Sequence, residues 1–490
     1  MTLTDYRSIL SRTKSNRAAG IDTIPYEFYR YGPQSLSIVV VQLLNDCLDL
    51  LHIPAFWKTN LLTLLPKPDR DPTLTSNYRP ITLAPTILKL LESYVNVHVL
   101  RYCLKHDILK PTQLAFRPSF STSDQLLDIV ENAVHGFNTA QTTLLLSLDL
   151  HKAFDSVSHT LLLNTIQSTI QSTHTTHLIT TLLSNRTTYI RHHSLLSDVS
   201  FTPSLGVPQG SPLSPTLFNI FLSRLPDPPT PRVKQYVYAD DITITSMARN
   251  PTFAWRLVAP HLQAITDWIQ LFQLQLQPAK TQLMFLTRNT NRMAYPPMHL
   301  LGHQLRQSSS VRILGLTFDA SLRFTAHFRQ LYLTIPPVVA RLRSLMQQNP
   351  VIPTYVGMLL CRSLIRSRIF YASPLLINLP ASTWRRLSQL YHTALRAASR
   401  SHRRTPLPTL YRRCHTTDLR TDYTLFCIRQ LLKQITEQPS RFLPYLSKQA
   451  HILRLTFQHS PLQKIFHLLT LPQQQQIVGL MSALHLDPPP

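Results

Sequence analysis

Three aspartates carry the clearest chemistry in this chain: Asp149 and the adjacent pair Asp240 and Asp241. Asp149 lies near the end of a short apolar run, Leu144–Leu150, interrupted before it only by Ser147, as a strand buried on both faces would be. Asp240 and Asp241 sit within Tyr236–Thr245 (YVYADDITIT), which reads as two short strands around a tight acidic turn. Carboxylates on short strand ends have little slack, which suits Mg²⁺, an ion that takes a few carboxylates plus waters and substrate phosphates. Two such ions about 3.5–4 Å apart serve phosphoryl or nucleotidyl transfer, one activating the attacking oxygen and one steadying the leaving group. Without cations the trio repels itself, so it should bind cations or titrate abnormally. A solvated acidic turn is the plain alternative for YADD alone; three aspartates converging in an acid-poor chain weigh against it.

The three converge only if the surrounding elements fold in the right order. A helical pattern follows the first strand, through Leu161–Leu163, and Pro212 opens another helix over Leu213–Leu225. After the acidic turn come a long amphipathic helix, Thr252–Gln275, and strands at Gln282–Thr287 and Val311–Phe318. Strand, helix, strand pair, helix, strand is the split βαβ layout, which brings the end of the first strand beside the 238–241 turn. The first 140 residues alternate helical patterns with Pro-rich turns. From Ala320 onward the chain reads all-helical. Within Ser382–Arg400, Trp384, Leu387, Tyr391, Leu395 and Ala398 share one face, with Arg385, Arg386, Arg396 and Arg400 opposite.

The 490 residues hold 49 Lys+Arg against 24 Asp+Glu, a net charge of +25. The total invites a nucleic-acid reading. Yet charged residues are only 15% of the chain, against roughly a quarter in ordinary proteins, so missing acids create the excess. Its distribution says more: residues 320–490 hold 22 basic and 4 acidic residues, residues 1–319 hold 27 and 20. A hydrophobic content of 43% excludes wholesale disorder. The richest apolar stretch, Leu36–Leu51, is broken by Asn45, Asp46 and Asp49, so no membrane span or membrane partner is expected. The N-terminus lacks the apolar region of a signal peptide. Five scattered cysteines form no CxxC pair, which fits thiols in a reduced compartment.

Five segments occur in order: LLLSLDLHKAFDSVSH (144–159), GVPQGSPLSPTLFNIFL (206–222), YVYADDITI (236–244), LQPAKTQLMFL (276–286) and VRILGLTFD (311–319). Together they resemble the reverse transcriptase of non-LTR (LINE-like, jockey-type) retrotransposons. SNYRPITLAPTILKLLE (76–92), QLAFRPSFSTSDQL (113–126) and KSNRAAGIDTIPYEFY (14–29) resemble that family's fingers motifs and leading segment. The resemblance implies an α+β fold: a right-hand polymerase with fingers and a ferredoxin-like (split βαβ) palm, followed by an all-helical basic thumb-like region. Fingers and leading segment would occupy 1–140, the palm 141–319 (reverse transcriptase core about 50–319), and the thumb-like region 320–490.

Carried over by residue, the resemblance makes Asp149 and Asp240 the principal ligands of two Mg²⁺ (or Mn²⁺) ions, with Asp241 beside them. Phe154 would sit under the incoming sugar and exclude a 2′-hydroxyl. Gly206, Pro208, Gln209 and Gly210 would form the loop beside the nascent base pair. Lys67 and Arg79 would hold the triphosphate, and Lys280 would stand near the pyrophosphate leaving group. Leu314 and Gly315, within the Val311–Phe318 hairpin, would grip the primer end. The arginines Arg385, Arg386, Arg396 and Arg400 would follow the duplex. Asp155 reads as structural, a cap or a partner for a nearby base.

This chain departs from the family pattern in loops: Gly20-Ile21-Asp22-Thr23 replaces Gly-Pro-Asp-Gly, Ala115-Phe116-Arg117 replaces Gly-Phe-Arg, Pro118-Ser119 replaces Pro-Gly, and Gln277-Pro278 replaces Asn-Pro. The implied partners are an RNA template, a DNA primer or target, and dNTPs, acting in the nucleus. No nuclease segment is recognisable, so an element truncated of its endonuclease, or served by a separate one, is expected. The other readings are a catalytically silent nucleic-acid-binding relic and an intron maturase. Intact aspartates disfavour the relic, and the absence of an added DNA-binding or nuclease module disfavours the maturase.

Overall fold

The computed structural model describes residues 1–68, 71–192, 195–288, 295, 297–376, 379–437, 439 and 469–483. Asp487, one of the four acids of residues 320–490, lies outside the described residues, as does 440–468 of the expected helical tail.

The centre is a four-stranded antiparallel sheet of β3 (Thr142–Asp149), β6 (Val233–Tyr238), β7 (Asp241–Ala248) and β8 (Gln282–Leu286), in the order β6-β7-β3-β8. Helices α6 (His159–Ile170), α7 (Thr173–Leu183) and α8 (Ser214–Leu222) lie between β3 and β6, and α9 (Pro251–Leu271) lies between β7 and β8. This is the split βαβ layout expected from the sequence. The expected boundaries differ by a few residues, mostly at helix ends, where the last turn frays.

β3 earns its apolar run by standing between two cores. Leu144, Leu146 and Leu148 pack into one core with α4, α6, α8 and α9, while Leu145 points into the other. Here α4 is Thr86–Lys105. The second core joins α5 (Thr122–Asn138) to the helical tail. Side chains alternate across a strand, so Ser147 and Asp149 share the Leu145 face. That face is half-open at the end where the second core stops.

β11 (Ser310–Ile313) and β12 (Leu316–Asp319) form the hairpin that the resemblance implied for Val311–Phe318, where the apolar pattern alone read as one strand. Leu314 (φ +45°) and Gly315 (φ +86°) make its turn. Left-handed backbone at both central positions is what a two-residue hairpin demands. A smaller hairpin, β9 (Met298–Leu300) with β10 (His303–Leu305), precedes it.

A second sheet was not legible in the sequence. It runs β2-β1-β4-β5, with β1 at Thr59–Pro66, β2 at Tyr78–Leu83, β4 at Thr187–His192 and β5 at Leu195–Phe201. β1 and β4 pair in parallel across more than a hundred residues of chain. β1 is apolar without strict alternation, so its period could not separate strand from helix.

Beyond Ala320 the described residues are helical, as expected: α10 (Thr325–Gln348), α11 (Thr354–Cys361), α12 (Ser367–Ile369), α13 (Ala381–Ala398), α14 (Leu407–Arg413), α15 (Leu419–Glu437) and a helix at Leu471–Ala483. The five cysteines are buried and free. Among the described residues no helix is long and apolar enough to cross a membrane.

Candidate active site

Register builds the carboxylate cluster. Asp149 and Asp241 are direct cross-strand partners on β3 and β7. Like charges directly opposite each other destabilise a sheet, so this pair is costly unless something neutralises it. Asp240 occupies the two-residue turn between Tyr238 and Asp241, behind Ala239 at φ +55°. A non-glycine residue in left-handed backbone is strained, and such strain gathers at functional turns.

Asp240 and Asp241 are open to solvent at the sheet's rim. Even so, desolvation by the surrounding protein, with the neighbouring carboxylates adding to it, pushes Asp241 up to about 6. Asp240 is also raised, by desolvation first and by Asp149 among lesser causes; the charge of Arg79 opposes the rise. Lys280 partly compensates, its Nζ 3.4 Å from Asp149 Oδ2. Its segment is zipped onto the Asp149 strand end: Gln277 N–H donates to the Asp149 carbonyl at 2.9 Å, and His151 N–H to the Gln275 carbonyl at 2.8 Å. The Gln277 side chain, one of the departures noted above, reaches His151 Nδ1 at 2.9 Å.

Among the described residues no group of three or more His, Cys, Asp or Glu side chains is arranged to hold a metal ion by itself. The donor set nonetheless fits a hard cation: carboxylate oxygens in surplus, mutually repelling and open to solvent, with the remaining positions left for water and phosphate. A cleft of about 660 Å³ opens beside Asp149 and Asp241, walled also by Lys280, His303, Arg306 and Arg312. Sequence reading missed these two arginines, which only the β9–β12 hairpins bring to the carboxylates.

The cation and the proton compete for Asp241, which gives a signed expectation. A carboxyl raised in the folded state takes up its proton on folding. Asp241 therefore adds stability as pH falls from about 6 toward 4 in cation-free protein, and bound Mn²⁺ opposes that. The rise in melting temperature on adding Mn²⁺ should shrink as pH drops through about 6. A Mn²⁺ effect independent of pH would contradict the cluster.

The loop at 206–210 is held from two sides. Val207 N–H donates to the Phe154 carbonyl and Gly206 N–H to the Val157 carbonyl, both at 2.8 Å; Thr82 N–H of β2 donates to the Gln209 carbonyl at 2.7 Å. Gly210 has φ +127°, and a Cβ there would stand 2.4 Å from the Thr82 carbonyl oxygen. This close approach requires glycine. Gln209 Nε2 donates to Asp155 Oδ1 at 2.8 Å. Asp155, read from the sequence as a cap or a partner for a nearby base, caps no helix; its hydrogen bond is to the Gln209 amide, while Lys152 and Lys67 act on it through their charge. A separate cavity of about 200 Å³, lined by Leu62, Thr82, Asp155, Arg186 and Gln209 among others, lies against this loop, with none of Asp149, Asp240 and Asp241 in its wall.

Phe154 lies half-buried two residues past the left-handed Lys152 (φ +45°). Its ring stacks on Phe218 with centroids 4.2 Å apart, and Phe116 meets it edge-on at 6.3 Å. Lys67 and Arg79 sit near the loop end of the β1–β2 hairpin, where Leu65 pairs with Arg79 and Lys67 N–H donates to the Asn77 carbonyl at 2.8 Å. Lys67 acts electrostatically on Asp155, and Arg79 on Asp240.

The four tail arginines divide. Arg385 is exposed, and Arg386, also exposed, stacks over Tyr332 at 4.3 Å. Arg396 and Arg400 are half-buried and tied into the chain: Arg396 donates to the Thr405 carbonyl at 3.1 Å, and Arg400 donates to the Met346, Asn349 and Ile352 carbonyls at 2.6–2.9 Å. Arg400 thereby satisfies orphan carbonyls at and just past the end of α10. Beside them, α10 and the turn before it supply Arg323, Arg329 and Arg343 to grooves shared with Arg386.

Residues 65–318, just over half of the chain, match the family model described as reverse transcriptase (RNA-dependent DNA polymerase). The chain belongs to the reverse transcriptase family. It is 25% identical over 339 residues to a probable RNA-directed DNA polymerase from transposon X-element of Drosophila melanogaster, covering 68% of this chain and 37% of the relative. It is 23% identical over 377 residues to the RNA-directed DNA polymerase from mobile element jockey of Drosophila melanogaster, covering 76% and 41%. The chain thus spans about two fifths of the length of these curated relatives. Among solved structures, apo telomerase from Candida Tropicalis aligns over 82% of this chain and 68% of that one, at 11% identity and a TM-score of 0.39.

Proposed function

We propose that this chain is the RNA-directed DNA polymerase of a non-LTR retrotransposon, adding dNTPs to a primer 3′-hydroxyl on an RNA template. The observation that carries the reading is the cross-strand pair Asp149–Asp241 with Asp240 in the adjoining turn. A fold keeps three repelling carboxylates at one sheet end when a cation is to be held there. Asp149 and Asp240 would hold two Mg²⁺ or Mn²⁺ ions with help from Asp241. When bound, the ions would acidify the attacking hydroxyl and neutralise charge on the departing pyrophosphate.

The protein's own contribution is placement. The β6-β7-β3-β8 sheet serves as palm, and residues 1–140 with the second sheet as fingers. In this reading the primer 3′-hydroxyl gives up its proton to solvent water as its oxygen bonds to the α-phosphorus, the bond from that phosphorus to the oxygen bridging to the β-phosphate breaks, and pyrophosphate leaves. Lys280, whose Nζ lies 3.4 Å from Asp149 Oδ2, would give a proton to the leaving group. Lys67 and Arg79 hold the triphosphate as charge-assisted donors. The test is pyrophosphate release from dTTP with a poly(rA) template. Release should require both the template and a primer bearing a 3′-hydroxyl. Release that persists with a dideoxy-terminated primer would refute the reading.

The helical tail serves as thumb, following a duplex by its phosphates. Arg385 and Arg386 carry that role, and the grooves lined by Arg323, Arg329 and Arg343 continue it. Replacing Arg385 and Arg386 by Gln should reduce the salt slope of duplex binding by about 2, whatever the sequence. An unchanged slope would remove this face from the duplex path.

A further inference from the structure

We infer that Tyr371 is a positioning residue that fixes the Leu314–Gly315 turn against the central sheet and thereby sets where a primer terminus rests. The inference deepens the polymerase reading and rests on it. Tyr371 follows helix α12 in a tightly packed stretch in which Phe370, Ala372, Ser373, Leu375 and Leu376 are buried. Its hydroxyl donates to the Leu314 carbonyl and lies 3.2 Å from Oγ1 of Thr122, the first residue of α5. A phenol has one proton and a carbonyl can only accept, so the Thr122 hydroxyl is the donor in the second bond. The ring packs against Gly315, where a Cβ would stand 3.4 Å from Tyr371 Cε1.

Three parts of the molecule meet at this one side chain. The base of the β11–β12 hairpin is tied to β8, through Ser308 N–H to the Leu283 carbonyl at 2.8 Å and Thr287 N–H to the Ala320 carbonyl at 2.9 Å. The tip is tied by Tyr371 to α5. That helix lies on the sheet through Leu126, Ile129 and Val130, in the core that also holds Leu145 of β3. Asn132 of α5 donates to Thr245 of β7 at 3.0 Å. The turn is thus referenced to the element that carries the carboxylates, through a residue of the helical tail.

The test is Tyr371→Phe, which removes the hydroxyl and keeps the ring on Gly315. First-nucleotide incorporation at saturating dNTP should slow by roughly ten-fold, about the worth of one hydrogen bond. Primer–template binding should weaken in step, while KM for the dNTP stays within about two-fold and the melting temperature barely moves. A merely structural role would lower the melting temperature without splitting these constants. If Tyr371→Phe is unstable, Thr122→Val removes the other partner and must show the same split. Wild-type kinetics in both variants, or a dNTP KM that rises with the loss of rate, would overturn the role of Tyr371. Wild-type protein that extends no primer beyond an Asp240→Ala control would instead sink the polymerase reading, and this inference with it.

Discussion

Replacing Asp149 by Asn should lower primer extension on the order of 10³-fold or more, about 4 kcal/mol of barrier, while leaving the fold intact. The substitution keeps size and removes one charge from a face-to-face pair with Asp241. In cation-free protein it should even stabilise, because it relieves cross-strand repulsion. That opposition distinguishes a functional carboxylate from a structural one: a structural aspartate would lose stability and activity together. The check is a melting curve without divalent ion beside single-turnover incorporation with it. Lower stability together with retained extension would remove Asp149 from the centre of the site.

The second large effect is expected at Phe154. Its ring is half-buried on Phe218, and the chain turns sharply around it, with Lys152 left-handed and Val207 bonded to its carbonyl. The backbone contacts hold the ring's position independently of the ring itself. Phe154→Val should therefore open space beside the incoming sugar and cut discrimination against ribonucleotides by roughly 10–100-fold. Losing the stacked pair should also cost about 1–2 kcal/mol of stability. Competing dTTP and UTP incorporation on one template measures the first effect. Unchanged sugar selectivity in a folded variant would make Phe154 a packing residue only.

The central sheet and its carboxylates were legible because their signals are local. Leu144–Leu148 is apolar but for Ser147 because most of both its faces is buried, and the Tyr236–Thr245 segment has a turn short enough to read. The second sheet was not legible, because its β1–β4 pairing joins distant segments and β5 is largely exposed, with Leu195 and Val199 facing outward. Helical periodicity correctly gave the face of α13 that carries its arginines. It could not say that the end of α10 would come to Arg400, which follows α13, and take its guanidinium. The Tyr371 bridge joins residues 249 apart in the chain, a distance over which no pattern speaks. Strained turns at Ala239, Lys152 and Leu314 were equally silent, since none of these residues favours left-handed backbone.

The most direct test of the whole account is incorporation of labelled dTTP on poly(rA)/oligo(dT) by soluble folded protein, in Mg²⁺ or Mn²⁺, with Asp240→Ala as control. The wild-type chain should show template-dependent extension and the variant none. Equal incorporation by the two, or none by either, would contradict it.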